Sequence, residues 1–192
     1  MLTYLDAQLH PEHVRGTSRR GYSPKVSELY RSYGDVVGLL AAAGMTLTPT
    51  VGIYGGWQVL LAERPEILDD ARVTQFFPWA KQRYGAHPLT GAALATRRRM
   101  VSDMAGTAKH VIDASGRVIA GTDAPIDPYA LSFLAELEEY QRYGGMTELE
   151  ALRSATSWAA DALGYGGVLG CVAPGCLADV VVGKGLSGTD LQ

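Results

Sequence analysis

Apolar residues recur at helical spacing in several stretches of the chain, and shorter stretches alternate in the way that is typical of strands. The first helix is predicted over about 35–43, where Val36, Leu39, Leu40 and Ala43 share one face and Gly44 ends the helix. The segment 45–53 that follows is alternating and rich in β-branched residues, which predicts a strand. This order of helix, glycine and strand is typical of one half of a βα repeat.

The same order of helix, glycine and strand occurs again later in the chain. A helix is predicted over 92–114, with Met100, Met104, Ala108 and Val111 roughly on one face, and Gly116 separates it from a predicted strand at 118–121. The basic cluster at 97–99 near the start of this helix is interpreted as a solvated face. The two units have the same order of helix, glycine and strand, but their sequences are not repeated.

The remaining segments are one irregular stretch, two further helices and a short strand. Prolines and glycines divide 54–90 into short pieces, but its aromatic residues indicate a segment that is packed and is not a free linker. Helices are predicted over 131–143 and 147–163, and Thr147 with Glu150 forms a capping-box pattern at the start of the second. Leu149, Leu152 and Leu163, with alanines between them, are the predicted buried face of that helix. A short strand is predicted over 177–182.

Asp123 is the first candidate for chemistry. It lies just beyond the carboxyl end of the predicted strand 118–121, and Pro125 stops the strand. In parallel α/β proteins this edge of the sheet is where ligands and catalytic groups collect. The alternative is that Asp123 only closes a turn, which an aspartate before Ala-Pro does well.

Composition narrows the class of protein. The chain has 192 residues and 47% hydrophobic content, enough for one core or for part of a larger one. Its formal charge of −3 does not indicate binding to nucleic acid or to an anionic membrane. No apolar run is long enough to span a membrane. Cys171 and Cys176 are too few for a disulfide framework and match no zinc pattern, so we expect them to pack in the turn before the last strand.

Several short motifs follow one another along the chain. They are Gly-Thr-Asp-Ala-Pro at 121–125, Gly-Met-Thr-x-x-Glu-Ala-Leu at 145–152, Ala-Thr at 155–156, Ala-Leu-Gly at 162–164 and Gly-x-x-x-Pro-Gly-x-x-Ala-Asp at 170–179. Upstream stand Glu-His at 12–13 and Thr-Pro-Thr at 48–50. This set resembles the C-terminal part of the amidohydrolase superfamily, near its imidazolonepropionase-like and prolidase-like branches.

The resemblance implies a fold and a metal site. The expected fold class is α/β: the last strands of a (β/α)8 TIM barrel over 1–166, then, over 167–192, part of the small β-sandwich that accompanies it. His13 would end the sixth barrel strand, Thr50 would follow the seventh, and Asp123 would follow the eighth. In the family such residues hold divalent metal, here expected to be zinc, so the resemblance implies that His13 is a metal ligand and Asp123 a ligand and general base.

The sequence also departs from the family pattern. None of the four histidines forms the His-x-His pair of the first barrel strand, and Leu134 stands before Glu136 where many relatives have a histidine. His87 and His110 are interpreted as surface residues. The first five strands of the barrel and their ligands are absent, so we expect this chain to be the C-terminal portion of a longer hydrolase. Because a catalytic zinc needs at least three protein ligands, we also expect it to be inactive alone.

Substrate and partners follow from the same comparison. The parent enzyme would act on C–N bonds of cyclic or peptide-like amides, and the chain would pair with an N-terminal fragment or with itself. The alternative is a non-catalytic half-barrel module that completes itself by such pairing. Arg15 and Tyr22 are candidates for binding a substrate, and a solvated loop is the other interpretation of their segment. Neither nucleic acid nor a membrane is an expected partner.

Overall fold

The computed structural model describes residues 34–124 and 131–182. They form a mixed helical structure with a two-stranded parallel sheet. The α-helices and strands are, in chain order, α1 (Gly34–Ala42), β1 (Thr46–Leu47), α2 (Trp57–Glu63), α3 (Ala71–Phe76), α4 (Pro78–Gly85), α5 (Gly91–Asp113), β2 (Arg117–Val118), α6 (Leu131–Arg142), α7 (Glu148–Ala155) and α8 (Ser157–Ala162). A π-helical turn at Gly52–Gly56 and a 3-10 helix at Pro65–Asp69 complete the order.

The two strands are parallel neighbours at the centre of the main core. Thr46 pairs with Arg117 and Leu47 with Val118. Leu47 and Val118 are buried in a cluster that α5 and α6 cover with Val101, Ala105, Ala108, Val111, Leu137 and Tyr140. The predicted strands at 45–53 and 118–121 are therefore present and adjacent, although both are shorter than predicted.

Each strand is shortened for a visible reason. Pro49 has no amide hydrogen for the ladder, and Thr50 turns the chain with a φ of 48°. On the other strand, Ile119 still donates to the carbonyl of Leu47, at 2.9 Å, but the amide of Ala120 donates to the carbonyl of Ser154 at the end of α7. A hydrogen bond with another part of the fold thus replaces the ladder beyond Ile119.

The long helix α5 confirms the helical pattern of 92–114. Its side chains Met104, Ala108 and Val111 are buried, and Met100 is half-buried. The helix ends where Gly116 allows a close approach, since a Cβ there would lie 2.6 Å from Cγ1 of Val111 and 3.3 Å from the Cα of Ala41. The basic cluster is only partly a solvated face, because Arg97 is half-buried and donates to the carbonyl of Tyr54 at 3.2 Å.

The aromatic segment at 54–90 is packed, as predicted. Helices α2 to α4 and the 3-10 helix enclose a second small core that contains Trp57, Leu60, Leu68, Val73 and Ala80. The ring of Trp57 meets that of Tyr84 edge to face at a centroid distance of 6.2 Å. Ala135 of α6 also belongs to this cluster, so α6 joins the two cores.

The predicted helix at 147–163 is two helices, α7 and α8. Its capping box is confirmed: the Thr147 hydroxyl accepts from the Glu150 amide, and the Glu150 carboxylate accepts from the Thr147 amide. The break falls at Thr156, whose φ of −132° and ψ of −95° are not helical. The predicted buried face is wrong, because Leu149, Leu152 and Leu163 are exposed among the described residues while Ala151 and Ser154 are buried.

The segment after α8 is a surface loop followed by chain without regular secondary structure. Gly170 lies so close to Thr156 that a Cβ would be 2.6 Å from its carbonyl carbon. Cys171 and Cys176 lie in the predicted turn but are joined by a disulfide bond, which the sequence alone did not indicate. The predicted strand at 177–182 is not formed within the described chain, where Val180, Val181 and Val182 are exposed.

The architecture is compatible with a partial α/β fold. Two parallel strands, with helices between them in sequence and packed against them, are what a piece of an α/β protein would contain. Among the described helices, none is long and apolar enough to cross a membrane.

The capping box of α7 gives a pH-dependent prediction. Burial acts to raise the pKa of the Glu150 carboxyl, but hydrogen bonds with Thr147 and Lys109 outweigh it, so the pKa lies below its ordinary value. The stabilisation is therefore present above the ordinary pKa of a glutamate and is lost as the pH falls through the lower folded value.

We expect Glu150→Gln to lower the free energy of unfolding by about 0.5 kcal/mol at neutral pH, because the glutamine oxygen can still accept from the Thr147 amide but the charge that faces Lys109 is lost. The difference from wild type should shrink towards acid pH, as urea denaturation at several pH values would show. Glu148→Gln is the matched control, since Glu148 is exposed in the same first turn. An equal loss in both variants, or a loss that grows at low pH, would contradict this account.

Candidate functional site

The candidate site is the edge of the sheet where β1 and β2 both end. Beyond the paired residues, the two segments stay side by side, because Gly121 lies directly against Thr48 and Thr50. A Cβ at position 121 would lie 2.5 Å from Cγ2 of Thr48. Glycine is therefore required there for the close approach, and it brings the Thr-Pro-Thr and Gly-Thr-Asp motifs together.

Asp123 follows at this edge with an exposed side chain. Its backbone has a φ of 53°, in the left-handed region that aspartate tolerates better than most residues. The turn therefore ends the extended chain after β2 and leaves the carboxylate accessible to solvent. This position agrees with both interpretations of Asp123, as a residue that closes a turn and as a residue that can bind a ligand.

Thr50 is strained at the same edge. It is buried and has a φ of 48°, which is unusual for a β-branched residue. Such a conformation costs about 1–3 kcal/mol and persists only where the surrounding structure imposes it. The Thr50 hydroxyl donates to the carbonyl of Pro49 at 2.8 Å, and the next two amides of the chain are held from α6.

Glu136 of α6 holds the segment that follows Thr50. Its side chain is 1% exposed, and its two carboxyl oxygens accept from the amides of Val51 at 2.6 Å and Gly52 at 2.7 Å. Successive backbone amides that converge in this way form a concave site for an acidic group. The carboxyl group of Glu136 thus replaces the ladder hydrogen bonds that these amides would make if β1 continued.

Glu139 lies on the same helix, one turn later, and is fully buried. Its carboxyl group lies against the π-helical turn, since a Cβ at Gly56 would be 2.1 Å from Oε2 of Glu139. The same oxygen would lie 3.6 Å from a Cβ at Gly52. Two buried carboxyl groups of α6 therefore face the turn that follows the candidate edge, and glycines make room for both.

The buried hydroxyl of Thr48, at this edge, can still form a hydrogen bond. Its Oγ1 has no partner among the described residues. A buried hydroxyl without a partner is uncommon in folded proteins and needs an explanation. The methyl group of the same side chain lies against Gly121, so a ligand or another part of the protein that bonded Thr48 would also be near the segment that carries Asp123.

A second group of charges connects α2, α5 and α6. Glu63 accepts from the hydroxyl of Tyr143 at 2.9 Å and pairs with Arg98 at 2.7 Å and Arg142 at 3.1 Å. Burial and the neighbouring Glu63 raise the pKa of Tyr143 above its ordinary value. Tyr143 is therefore a neutral hydrogen-bond donor at physiological pH, and the group stabilises helix packing.

A groove of about 450 Å³ lies between α2, the 3-10 helix and α6. Its floor contains Trp57, and its charged residues pair with one another, Arg64 with Glu138 at 3.0 Å and Arg72 with Asp70 at 2.6 Å. The bond from Arg72 is the main reason that the pKa of Asp70 is lowered to about 2. Neither Asp123 nor Glu136 lines this groove, which is therefore separate from the candidate edge.

The structure describes one of the residues that the sequence singled out for chemistry. Asp123 is placed at the candidate edge, whereas His13, Arg15 and Tyr22 lie outside the described residues. His87 and His110 are exposed, in agreement with a surface role. Within the described residues, no three His, Cys, Asp or Glu side chains form a group that could hold a metal ion.

Sequence reasoning missed Glu136 and Glu139 as buried groups. A signal was present, because two acidic residues three apart fall among the apolar positions of the predicted helix 131–143. Their partners at Val51, Gly52 and Gly56 lie far away in sequence and follow no pattern that would connect them. The tertiary structure was needed to bring them together.

The sequence model of the amidohydrolase family matches residues 8–190. This chain therefore belongs to the amidohydrolase family, which indicates a hydrolase and confirms the family expected from the motifs. Neither the comparison with curated proteins nor that with solved structures gave a match.

The bonds from Glu136 give the prediction for this site. Glu136→Gln keeps the shape of the side chain but turns an amide nitrogen towards one of the two backbone donors. We expect the free energy of unfolding to fall by about 1–3 kcal/mol, the usual cost of leaving a buried donor unsatisfied.

Glu138→Gln is the matched control for that substitution. Glu138 is on the same helix, but its pairs with Arg64 and Arg142 are partly exposed, and such pairs contribute about 1 kcal/mol or less. Urea denaturation of both variants makes the comparison. Equal losses in the two variants would contradict the role given to Glu136.

Proposed function

We propose that this chain is the C-terminal portion of a metal-dependent amidohydrolase that hydrolyses a C–N bond in a cyclic or peptide-like amide. The observation that carries the proposal is the position of Asp123 just beyond β2, at an edge that β1 shares, in a chain of the amidohydrolase family. In this proposal β1 and β2 are the seventh and eighth strands of a (β/α)8 barrel over 1–166. Residues 167–192 belong to a companion β-sandwich.

Asp123 and His13 are the proposed metal ligands of this chain. A neutral imidazole and a carboxylate suit zinc, and a bound zinc ion lowers the pKa of a water molecule towards neutrality. The exposed carboxylate of Asp123 is also the proposed general base, which accepts a proton from water and returns it to the leaving amine. Arg15 and Tyr22 are proposed to bind the substrate.

The proposed site needs residues from outside this chain. A catalytic zinc site uses at least three protein ligands, and this chain is proposed to supply only two. The part of the chain that the structure describes holds no group of three ligands that would close the site. The isolated chain is therefore proposed to be inactive, with catalysis in a complex with an N-terminal fragment or in a longer protein.

Zinc binding tests the two ligands. With a chromophoric chelator as competitor, we expect weak binding by the chain and a loss of affinity of at least about tenfold in both His13→Ala and Asp123→Asn. His110→Ala and Asp179→Asn are matched controls at exposed positions and should leave the affinity unchanged. Wild-type affinity in both ligand variants would refute the site, and hydrolysis of dipeptides or cyclic amides by the isolated chain would refute its inactivity.

A second candidate function is a non-catalytic half-barrel module that pairs with itself or with another chain. One observation favours it. Leu149 and Leu152, three residues apart on α7, are each 54% exposed, although their spacing is that of a buried helix face. Pairing would cover this face.

Light scattering across a range of concentrations tests self-association. If the module pairs with itself through α7, the chain should dimerise and Leu152→Lys should shift it to monomer, because a charge would be buried in the interface. Glu148→Lys, in the exposed first turn of the same helix, is the control for the change of charge. A wild-type chain that stays monomeric at all concentrations would exclude self-pairing.

A further inference from the structure

The structure contains a covalent bond that the proposed function does not use. Cys171 and Cys176 are joined by a disulfide, with their Cα atoms 6.1 Å apart. They are the only two cysteines of the chain, so neither has another thiol of the same chain with which to exchange. The chemistry of this pair is therefore limited to the bonded form, the dithiol, and links to other molecules.

The bond closes a small ring on the surface. The residues inside it, 172–175, are all exposed, and Val172 is 91% exposed, while the cysteines themselves are half-buried. The ring holds a turn in which the amide of Cys176 donates to the carbonyl of Ala173 at 3.1 Å. Neither cysteine belongs to either of the two cores, so the bond does not connect core elements.

A contact before the ring joins it to the rest of the fold, and a hydrogen bond after it closes the loop on itself. Before it, Gly170 lies against the backbone of Thr156 and Ser157 between α7 and α8. After it, the amide of Leu177 donates to the carbonyl of Val168 at 2.8 Å. The exposed valines at 180–182 follow directly. The disulfide, together with these contacts, restrains the loop between α8 and the segment that ends the described structure.

We propose that Cys171 and Cys176 form a reversible thiol–disulfide exchange site, whose reduction releases the loop 168–177 and the valine segment after it. The co-reactant is a dithiol. One of its thiolates attacks a sulfur of the pair, and the bond between Cys171 and Cys176 breaks as a mixed disulfide forms. This attack releases the cysteine that was not attacked as a thiol. The second thiol of the co-reactant then attacks the co-reactant's own sulfur in the mixed disulfide and releases the attacked cysteine. Two electrons and two protons pass to the protein, which holds two thiols, and the co-reactant becomes a disulfide.

Accessibility and loop size support this assignment. Exchange requires that a thiolate reach the disulfide, and the two cysteines are only half-buried, at the ends of a ring whose other residues are exposed. The bond restrains the local chain, because opening it restores the freedom of the loop that it closed. This inference is independent of the proposed metal site, since it concerns a separate loop and needs neither His13 nor Asp123.

Alkylation of the native chain tests the exchange itself. Without reductant, iodoacetamide should add nothing, and after incubation with dithiothreitol it should add two groups by mass. The rate of reduction should lie within about tenfold of that of an unstructured peptide with the same ring, because access governs exchange. Free thiols before reduction, or reduction only at urea concentrations that unfold the chain, would overturn the proposal.

Limited proteolysis tests the release of the loop. Cleavage within 168–182 should be about tenfold faster in the reduced chain, because opened segments are the preferred sites of proteolytic nicking. The double variant Cys171→Ser with Cys176→Ser should be cleaved at the reduced rate with or without dithiothreitol. Ala173→Ser, which keeps both cysteines, should behave as wild type. Equal cleavage of oxidised and reduced wild-type chain would overturn the release, and that comparison needs no substitution.

Discussion

The turn after β1 depends on the hydrogen bonds that Glu136 accepts from the amides of Val51 and Gly52. Pro49 and the left-handed Thr50 end the strand, so these amides lose the partners that a continued ladder would have given them. A buried carboxyl group from α6 supplies new partners, and Glu139 packs against the next turn of the same segment. Through these contacts α6 sets where β1 ends, and Gly121 then fits against Thr48 beside it.

This arrangement explains how the edge can be both strained and well defined. Thr50 and Asp123 both have left-handed backbones, in the segments that follow the adjacent parallel strands. The turn at Asp123 exposes its carboxylate, and the turn at Thr50 directs the amides of Val51 and Gly52 towards α6. A straight strand would have kept these groups in the sheet. The strain at Thr50 is compatible with a folded chain because buried bonds on its C-terminal side restrain it. Asp123 has no such burial, so its carboxylate remains free to meet other groups.

The sequence predicted what depends on local pattern. The long helix α5, the capping box of Thr147 and Glu150 and the parallel order of the two strands follow from spacing, caps and glycines. It did not predict what depends on distant contacts. The strands are short because Glu136 accepts a hydrogen bond from the amide of Val51 and the carbonyl of Ser154 accepts one from the amide of Ala120. No local sequence pattern predicts such bonds.

Burial was harder to predict than secondary structure. Leu149 and Leu152 have the spacing of a core face, yet the described chain covers Ala151 and Ser154. Helical spacing shows which residues share a face but not whether a neighbour is present to cover it. For the candidate site, the sequence predicted that Asp123 follows the second strand, and its chemical role stays a prediction, whereas the contacts of Glu136 needed the tertiary structure. His13, Arg15 and Tyr22 lie outside the described residues and stay predictions.

The central claim is that a metal ion binds at the edge where β1 and β2 end. Paramagnetic line broadening of backbone amide signals by Mn²⁺ tests it directly, because even weak binding broadens the signals of nearby amides. The account predicts that the signals of Thr50, Gly121 and Thr122 broaden first, while that of Gly170, on the loop after α8, stays sharp. Broadening that begins instead at the acidic pair Asp69 and Asp70, with the edge unaffected, would contradict it.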